Sequence, residues 1–418
     1  MKILVIGSGG REDAICKTLL KEPTNTVFCA PGNDGMRLSG IKTISIDEDD
    51  FSHLTNFVQT NNIDFTIVGP EEPLVNGIVD FFKERKLKIF GPNKKGAQIE
   101  GSKSFTKKIM ADAKIATAKY QEFTKLEDAI EYLTNEADFP IVIKADGLAA
   151  GKGVYISQNL ADAKNTVSEL LDGHKFNTRK VVIEEFLLGE EFSLMAFVDH
   201  KRFYPMPIAQ DYKKIYNDDQ GPNTGGMGAI CPVPNISTQI TQQAIDEVLE
   251  PFVKELYQQG IKYTGIVYAG LILTKKGIKV IEFNARFGDP ETEVVLPRLK
   301  TSLTEIIVSI LNHKKISQID WEENNLNLGV FAVSKGYPQK PIFGDLGSVD
   351  DFKNCPLSIN FAGVRKENHR LISNGGRLYL MQTKAKTLKD AQDLIYQNLE
   401  KMNQENISYR TDIGKNAL

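Results

Sequence analysis

The chain has 418 residues, of which 41% are hydrophobic and 25% charged, and its net charge is −3. That length divides into roughly two to four domains and buries several cores without needing disulfides. The composition is that of a globular protein, and the scattered lysines argue against a nucleic-acid or membrane-surface partner.

The first residues pass straight into a strand, with no basic stretch ahead of an apolar one, so no secretory leader is expected. No apolar run nears the ~18 residues that span a bilayer. Cys16, Cys29, Cys231 and Cys355 stand far apart without a CxxC pair. That argues against a disulfide framework or a cysteine zinc site and predicts a reducing, cytoplasmic setting.

The runs KILVIG, TVFCAP, FTIVGP and LKIFGP each end at Gly or Pro, with helical patterns such as EPLVNGIVDFFKER between them. Continuous apolar strands alternating with helices predict a doubly wound parallel sheet. Ligands of such sheets lie beyond the carboxyl ends of the strands. Those ends are Gly7 to Arg11, Pro31 to Asn33, Gly69 to Glu72 and Gly91-Pro92.

The first of these turns, ILVIGSGGRED, is laid out like a dinucleotide site. That site requires G-x-G-x-x-G and an acid about 20 residues on. Gly7 and Gly9 fit, but Glu12 stands at the third glycine and the next strand ends at Ala30-Pro31. What remains is either a set of backbone N–H groups suited to a single phosphate or a plain tight turn.

From about residue 118 the pattern changes. FPIVIKADGLAAGKGVYIS reads as two strands joined by a glycine-rich turn, followed by a helix, LADAKNTVSELLDG, and a strand, KVVIEEFL. KADGLAAGKGV lacks the spacing of a P-loop. Its small residues let the backbone close over a triphosphate, with Lys144 neutralising charge; a flexible hairpin is the alternative. In VVIEEFLLGEE, a turn at Glu184 to Leu187 offers backbone groups to an adenine edge and Glu191 suits ribose hydroxyls. Taken singly, those acids also fit a solvated strand end.

GPNTGGMGA, Gly221 to Ala229, implies backbone lying close to a ligand. Upstream, Asp211, Lys213 and Lys214 either join it or are solvated. GLILTKKGIKVIEF is a hairpin turning at Lys275 to Gly277. In VIEFNARFGDPE, Glu282 and Asn284 share one face of a strand. A carboxylate and an amide oxygen make a partial cage for a hard cation. Arg286 continues that face and can clamp a phosphoryl group, and Asp289 and Glu291 follow in a turn. Beyond about 320, NLGVFAVS, FAGVRKE and GRLYLMQT read as strands, with a helix from about Leu388. The five histidines lie outside every motif. The chemistry expected is therefore that of phosphate, metal, carboxylate and lysine.

In this order, GSGGRE, IVGPE, EGSK, KADGLAAGKGV, EEFLLGEE, GPNTGGMGA and EFNARFGDPE closely resemble the phosphoribosylamine–glycine ligase family of the ATP-grasp superfamily. The resemblance covers nearly the whole chain and is weakest after about 320. It implies an N-terminal doubly wound parallel-sheet α/β domain (1–117) and an ATP-grasp core. That core comprises a mobile lid subdomain (118–188) and a central catalytic subdomain (189–320). A small C-terminal α+β domain (321–418) follows.

The activity implied is ATP-dependent ligation of glycine to 5-phosphoribosylamine in purine synthesis, through glycyl phosphate. The cofactors implied are ATP with Mg²⁺ or Mn²⁺, and the partners are small molecules, the chain being a monomer or weak oligomer. Carried over onto this sequence, Lys103, Lys144, Gly151, Lys152, Gly153, Glu184, Glu185, Phe186, Leu187 and Glu191 would bind ATP. Glu282 and Asn284 would hold the metal, and Arg286, Lys144 and Asp289 would serve catalysis. Gly9, Gly10, Arg11, Glu12, Pro31, Gly32, Asn33, Gly69, Pro70 and Glu71 would hold the phosphoribosyl group. Asp211, Gly226 and Asp289 would lie near glycine and the amine.

Two positions depart from the family. GREHA becomes Arg11-Glu12-Asp13-Ala14, placing an acid beside the expected phosphate site unless Asp13 points away. VYAGLIL also lacks the carboxylate metal ligand that many ATP-grasp enzymes carry on that strand. The nearest alternative is another ATP-grasp carboxylate–amine ligase, such as a purine-pathway enzyme using bicarbonate. An oxidoreductase is weakened by Glu12, and a non-catalytic nucleotide sensor by the presence of the metal and phosphate residues.

Overall fold

The computed structural model describes residues 1–149, 153–402 and 405–417, apart from the side chain of Asn416. Gly151 and Lys152, expected at the ATP loop, lie outside the described residues.

Five parallel strands open the chain: β1 (Lys2–Gly7), β2 (Thr26–Pro31), β3 (Lys42–Thr43), β4 (Phe65–Val68) and β5 (Ile89–Phe90), in the order β3-β2-β1-β4-β5. The chain leaves β1 for β2 on one side and returns to β4 on the other. The carboxyl ends of β1 and β4 thus form a topological switch point, where open α/β sheets bind ligands. The helical pattern EPLVNGIVDFFKER breaks into Glu71–Asn76 and Ile78–Glu84. Gly77 sits between them at φ +96, a left-handed conformation that glycine adopts without steric cost.

Next come β6 (Tyr120–Phe123), β7 (Ile141–Ala145), β8 (Val154–Ser157) and β9 (Val181–Glu185), an antiparallel sheet in the order β6-β9-β7-β8. Helices Leu126–Asn135 and Leu160–Leu171 supply Ala129, Leu133, Val167 and Leu170 to a separate core with Ile143 and Ile183. The glycine-rich turn therefore joins two antiparallel strands, as its sequence predicts.

The middle of the chain contributes β10 (Glu190–Asp199), β11 (Arg202–Pro205), β12 (Gln210–Asp211), β13 (Lys214–Tyr216), β14 (Gln220–Asn223), β15 (Gly228–Cys231), β16 (Thr264–Thr274) and β17 (Gly277–Asn284). Of these, β11-β10-β16-β17 form an antiparallel sheet and β13-β14 a hairpin. The last strands are β18 (Leu326–Ser334), β19 (Asp345–Ser348), β20 (Ser358–Phe361), β21 (Val364–Glu367), β22 (Arg370–Ser373), β23 (Arg377–Ala385) and β24 (Ile407–Ser408). The run FAGVRKE is split, β20 ending at Phe361 and β21 starting at Val364.

One six-stranded sheet crosses the chain's middle and end, in the order β12-β15-β18-β23-β20, with β24 pairing β18. Its junction is the antiparallel ladder from Gly228↔Val330 to Cys231↔Asn327. Among the described residues, no helix is long and apolar enough to cross a membrane.

Candidate active site

The opening turn is built around Glu12. Its carboxylate folds back into the turn, accepting hydrogen bonds from Gly9 N at 2.7 Å and Arg11 Nε at 2.5 Å. Gly7 adopts φ +122, and a Cβ there would come 2.6 Å from Glu12 Cγ. A side chain at Gly69 would collide with Glu12 Oε1. The acid at the fingerprint's third glycine is thus a brace between two strand ends. The second loop is tied to the first, with Gly32 N donating to Gly7 O at 3.0 Å and Asn33 Nδ2 to Ser8 O at 2.9 Å.

Asp13 points away from this turn. Its side chain is fully buried, and Oδ2 accepts from Phe361 N and Lys17 Nζ, each at 2.7 Å. Burial raises its pKa against the pull of Lys17.

A cleft of about 990 Å³ runs from these strand ends across β17, and a smaller cavity of about 120 Å³ adjoins it. Glu71, Lys144, Glu184, Glu282, Asn284 and Arg286 line both. Arg11, Pro70, Glu185, Phe186, Leu187, Glu191, Asp211 and Asp289 line the larger. Lys103 and Gly153 line the smaller. Gly9, Gly10, Glu12, Pro31, Gly32, Asn33 and Gly69 line neither; they frame the turn behind Arg11. Gly226 is also off the wall. At φ +103 it packs on Pro290, while its neighbours Thr224 and Gly225 face the cleft.

Charge is arranged in three groups. In the first, Glu184 sits buried between two lysines, 2.8 Å from Lys144 Nζ and 2.9 Å from Lys107 Nζ. Burial pushes its pKa up, but Lys144 and Lys107 outweigh this and hold it below the ordinary value. Lys144 Nζ also donates to Ile281 O at 2.9 Å, and Lys103 Nζ to Gly147 O at 3.0 Å. The side chain of Glu184 is therefore committed to lysines, leaving its backbone and the following turn to face the cleft. Glu185 accepts from Lys279 Nζ at 2.6 Å and Lys119 N at 3.0 Å.

The second group surrounds Arg286. Its guanidinium meets Glu71 at 3.2 Å and Glu100 at 2.9 Å, and donates to Phe287 O at 3.0 Å. Arg11 approaches the same carbonyl at 3.4 Å and Glu71 at 3.9 Å. Although burial opposes ionisation, Arg286 and Arg11 hold the Glu71 carboxyl at about 2. For Glu100 burial prevails over Arg286, pushing it to about 7.

Glu282 stands on the shared wall. Burial disfavours its charge, yet Lys213, Lys144, Lys103 and Arg286 keep its pKa below the ordinary value. Asn284 Nδ2 lies 3.5 Å from Glu282 Oε1, so the carboxylate and amide converge on one point of the cavity wall. An anionic carboxylate and an amide that turns its oxygen inward make a hard-oxygen donor pair, which fits a divalent cation of the Mg²⁺ or Mn²⁺ kind. On β16, which carries no carboxylate, the register puts Gly270 opposite Glu282.

The third group holds Asp289, Asp211 and Lys213. Asp289 Oδ2 pairs with Arg377 at 2.7 Å, while its Oδ1 is buried with no hydrogen-bond partner among the described residues. Arg377 also donates to Gly225 O. Asp211 is not solvated: burial, against Lys213, pushes it to about 7. Lys213 Nζ lies 3.9 Å from Asp211 and 3.0 Å from Glu191.

The sequence reading missed Lys107, Glu100 and Arg377. Lys107 is one helical turn after Lys103 on the helix Lys103–Asp112, an i, i+4 spacing that signals a shared face. Glu100 opens the EGSK run that ends at Lys103, but nothing in that run points to its partner Arg286. Arg377 follows Gly375-Gly376 and opens β23, but its partner is far away in sequence.

Family models match nearly the whole chain. They describe the phosphoribosylglycinamide synthetase N domain at residues 1–100, its ATP-grasp (A) domain at 101–292 and its C domain at 327–416. The phosphoribosylamine–glycine ligase of Lactococcus lactis subsp. lactis is 48% identical over 420 residues, covering 100% of both chains. That of Listeria innocua is 47% identical over 422 residues, again covering 100% of both. The crystal structure of phosphoribosylamine–glycine ligase from Thermotoga maritima superposes with a TM-score of 0.85 at 30% identity, over 99% of this chain and 100% of that one. A biotin carboxylase domain from Hydrogenobacter thermophilus shares the fold, with a TM-score of 0.73 at 14% identity over 97% of this chain and 91% of that one. The chain belongs to the phosphoribosylglycinamide synthetase family, the phosphoribosylamine–glycine ligases of the ATP-grasp group.

Proposed function

We propose that the chain joins glycine to 5-phosphoribosylamine at the expense of ATP, giving glycinamide ribonucleotide, ADP and phosphate. The observation that carries this reading is the wall shared by the two cavities, where Lys144, Glu282, Asn284 and Arg286 face one space beside the switch point of the first sheet.

A carboxylate is a poor acyl donor until one of its oxygens becomes part of a leaving group. The glycine carboxylate attacks the γ-phosphorus of ATP, the bond to the bridging oxygen breaks, and glycyl phosphate and ADP form. The amine nitrogen of phosphoribosylamine then attacks the glycyl carbonyl carbon. Phosphate departs with the bonding electrons, and the nitrogen loses a proton. Positioning and charge stabilisation dominate such phosphoryl transfer.

In this reading Lys103 and Lys144 neutralise the phosphates, with Gly151, Lys152 and Gly153 as further ATP-binding residues. Lys144 is oriented by Glu184. The backbone of Glu184, Glu185, Phe186 and Leu187 meets the adenine edge, and Glu191 meets the ribose. Glu282 and Asn284 would hold Mg²⁺ or Mn²⁺, which when bound offsets charge on the phosphoryl oxygens. Arg286, fixed by Glu71 and Glu100, points its guanidinium at the transferring group. Asp289 Oδ1, an acceptor without a donor, and Asp211 suit the glycine ammonium, with Gly226 setting the loop behind them. Arg11, Pro70 and Glu71 on the cleft wall would hold the ribose phosphate, with Gly9, Gly10, Glu12, Pro31, Gly32, Asn33 and Gly69 framing the turns behind them. The reaction is cytoplasmic, involves small molecules alone, and is run by a monomer or weak oligomer.

The test is ATP-dependent phosphate release with phosphoribosylamine generated in place, comparing glycine, bicarbonate and neither. Release that needs both glycine and the amine is expected. Release supported by bicarbonate instead would move the substrate and overturn the reading, as would release under no condition.

A further inference from the structure

The longest strand pair of the central sheet ends far from the cleft in a group of side chains that the ligase reading does not use. Among the described residues, Asp199, His200 and His313 form a cluster whose ligand atoms all lie within 4.8 Å of one another. Asp199 ends β10, His200 begins the tight turn to β11, and His313 follows the helix Leu303–Leu311. From Glu191 at the cleft to Asp199 is eight residues of extended strand, roughly 26 Å.

The three groups are already ordered. The carboxylate of Asp199 is 1% exposed, and its Oδ1 lies 2.7 Å from His313 Nδ1. The two imidazoles face each other with centroids 4.5 Å apart and planes 32° apart. Arg202 holds the other carboxylate oxygen, Oδ2, and also donates to His313 O, fixing both elements. His200 is pinned through its own N–H, which donates to Tyr263 O at 2.7 Å.

We propose that Asp199, His200 and His313 form a site for a divalent transition-metal ion of the Zn²⁺ type, coordinated by two imidazole nitrogens and one carboxylate oxygen. Two nitrogens and one oxygen suit zinc and its neighbours and not Mg²⁺, which prefers an all-oxygen shell. Zinc–ligand bonds of about 2.0–2.2 Å need the ligand atoms to draw together by rotation of the exposed His313 and half-buried His200 side chains. The proton shared by His313 Nδ1 and Asp199 Oδ1 occupies the cation's place. On binding, the imidazole takes its other tautomer, with the proton on Nε2, and Nδ1 becomes a ligand. Arg202 keeps the carboxylate monodentate. The remaining coordination positions face water, as in an open site.

Such an ion would staple the β10–β11 turn to the end of the helix Leu303–Leu311, where the chain leaves the central sheet. Arg202 beside the carboxylate, with Lys83 and Lys262 acting on His200, makes the surroundings positive, which weakens cation affinity. A moderate-affinity structural site is expected.

The test is calorimetric titration of the metal-free full-length chain with Zn²⁺, and visible absorption of its Co²⁺ form. The comparison is the double variant His200→Asn/His313→Asn. Both positions have positive φ, +58 and +53, which asparagine tolerates, so the variant keeps the backbone. One Zn²⁺ site per chain should be at least about tenfold weaker in the variant. Co²⁺ bands of the wild-type chain should be absent there, and Zn²⁺ should raise Tm in the wild type alone. Mg²⁺-supported ligase turnover should be equal in the two. Equal Zn²⁺ binding by the two chains, or no binding by the wild type, would overturn the proposal and leave the cluster as a hydrogen-bonded staple.

Discussion

Arg377 donates to Asp289 across 88 residues of sequence, with its Nη2 2.7 Å from Oδ2. The first residue of β23 thus closes one side of a cleft whose floor is laid by β17. Removing the guanidinium strands a desolvated carboxylate and releases the Gly225 carbonyl it also holds. Arg377→Ala should lower kcat/KM for glycine about 100-fold. Lysine should restore only part of this, because it lacks the planar fork. Steady-state kinetics at saturating ATP check it; an alanine variant within about twofold of wild type would exclude Arg377 from the site.

Glu282→Ala should abolish turnover and leave folding intact, since Glu282 lines the cleft and not a hydrophobic core. Circular dichroism together with phosphate release separates the two effects. Retained activity would remove Glu282 from metal binding.

The pH dependence rests on Asp211. Its folded pKa is near 7, well above an ordinary aspartate, because burial outweighs Lys213. The carboxylate therefore forms as pH rises through 7, and with it the acceptor proposed for the glycine ammonium. The expected profile of kcat/KM for glycine climbs between about pH 6 and 8 and then levels; Asp211→Asn should flatten that limb. For stability the sign is opposite. Between about pH 4 and 7 the folded chain binds this proton more tightly than the unfolded chain, so this group's contribution falls as pH rises through that window.

Among the described residues, Glu184 is the sole carboxylate paired with both Lys107 and Lys144. Glu184→Ala should destabilise the chain by about 3–5 kcal/mol by leaving two buried ammonium groups uncompensated. Its pKa is depressed in the folded state, so the wild-type contribution is present above the ordinary glutamate pKa and is lost as pH falls through the folded value. A urea midpoint unchanged from wild type would contradict this.

Much of this architecture is legible in the sequence because it is local. Four apolar runs ending at Gly or Pro give the parallel sheet, and the period of two in VIEFN puts Glu282 and Asn284 on one face. The split at Gly77 was not legible, since glycine inside an apolar periodic run reads equally as a tolerated residue. Glu100 and Arg377 escaped for a different reason. Each gains its role from a partner more than 80 residues away, Arg286 or Asp289, which the neighbouring EGSK run and the Gly375-Gly376 pair do not disclose. Glu12 was correctly read as breaking a dinucleotide fingerprint, but that its carboxylate folds inward as a brace depends on Gly69, brought in by β4.

Asp13 joins the helix Gly10–Leu20 to β20. Asp13→Asn should keep the bond from Phe361 N and lose the pair with Lys17, costing about 1–2 kcal/mol. KM for phosphoribosylamine should not change, because the side chain faces away from the turn. A KM shift of tenfold or more would place Asp13 at the phosphate after all.

The ladder between β15 and β18 also bears on how such a chain can be inherited. It is one continuous sheet built from two distant stretches of the gene, so a stop codon or fusion joint placed after residue 320 would leave β15 with β12 alone and bare its other, hydrophobic edge. It would also withdraw Arg377. The terminal stretch is therefore no cassette to be traded between genes: shuffling it would require a new owner whose central strand already matched it residue for residue.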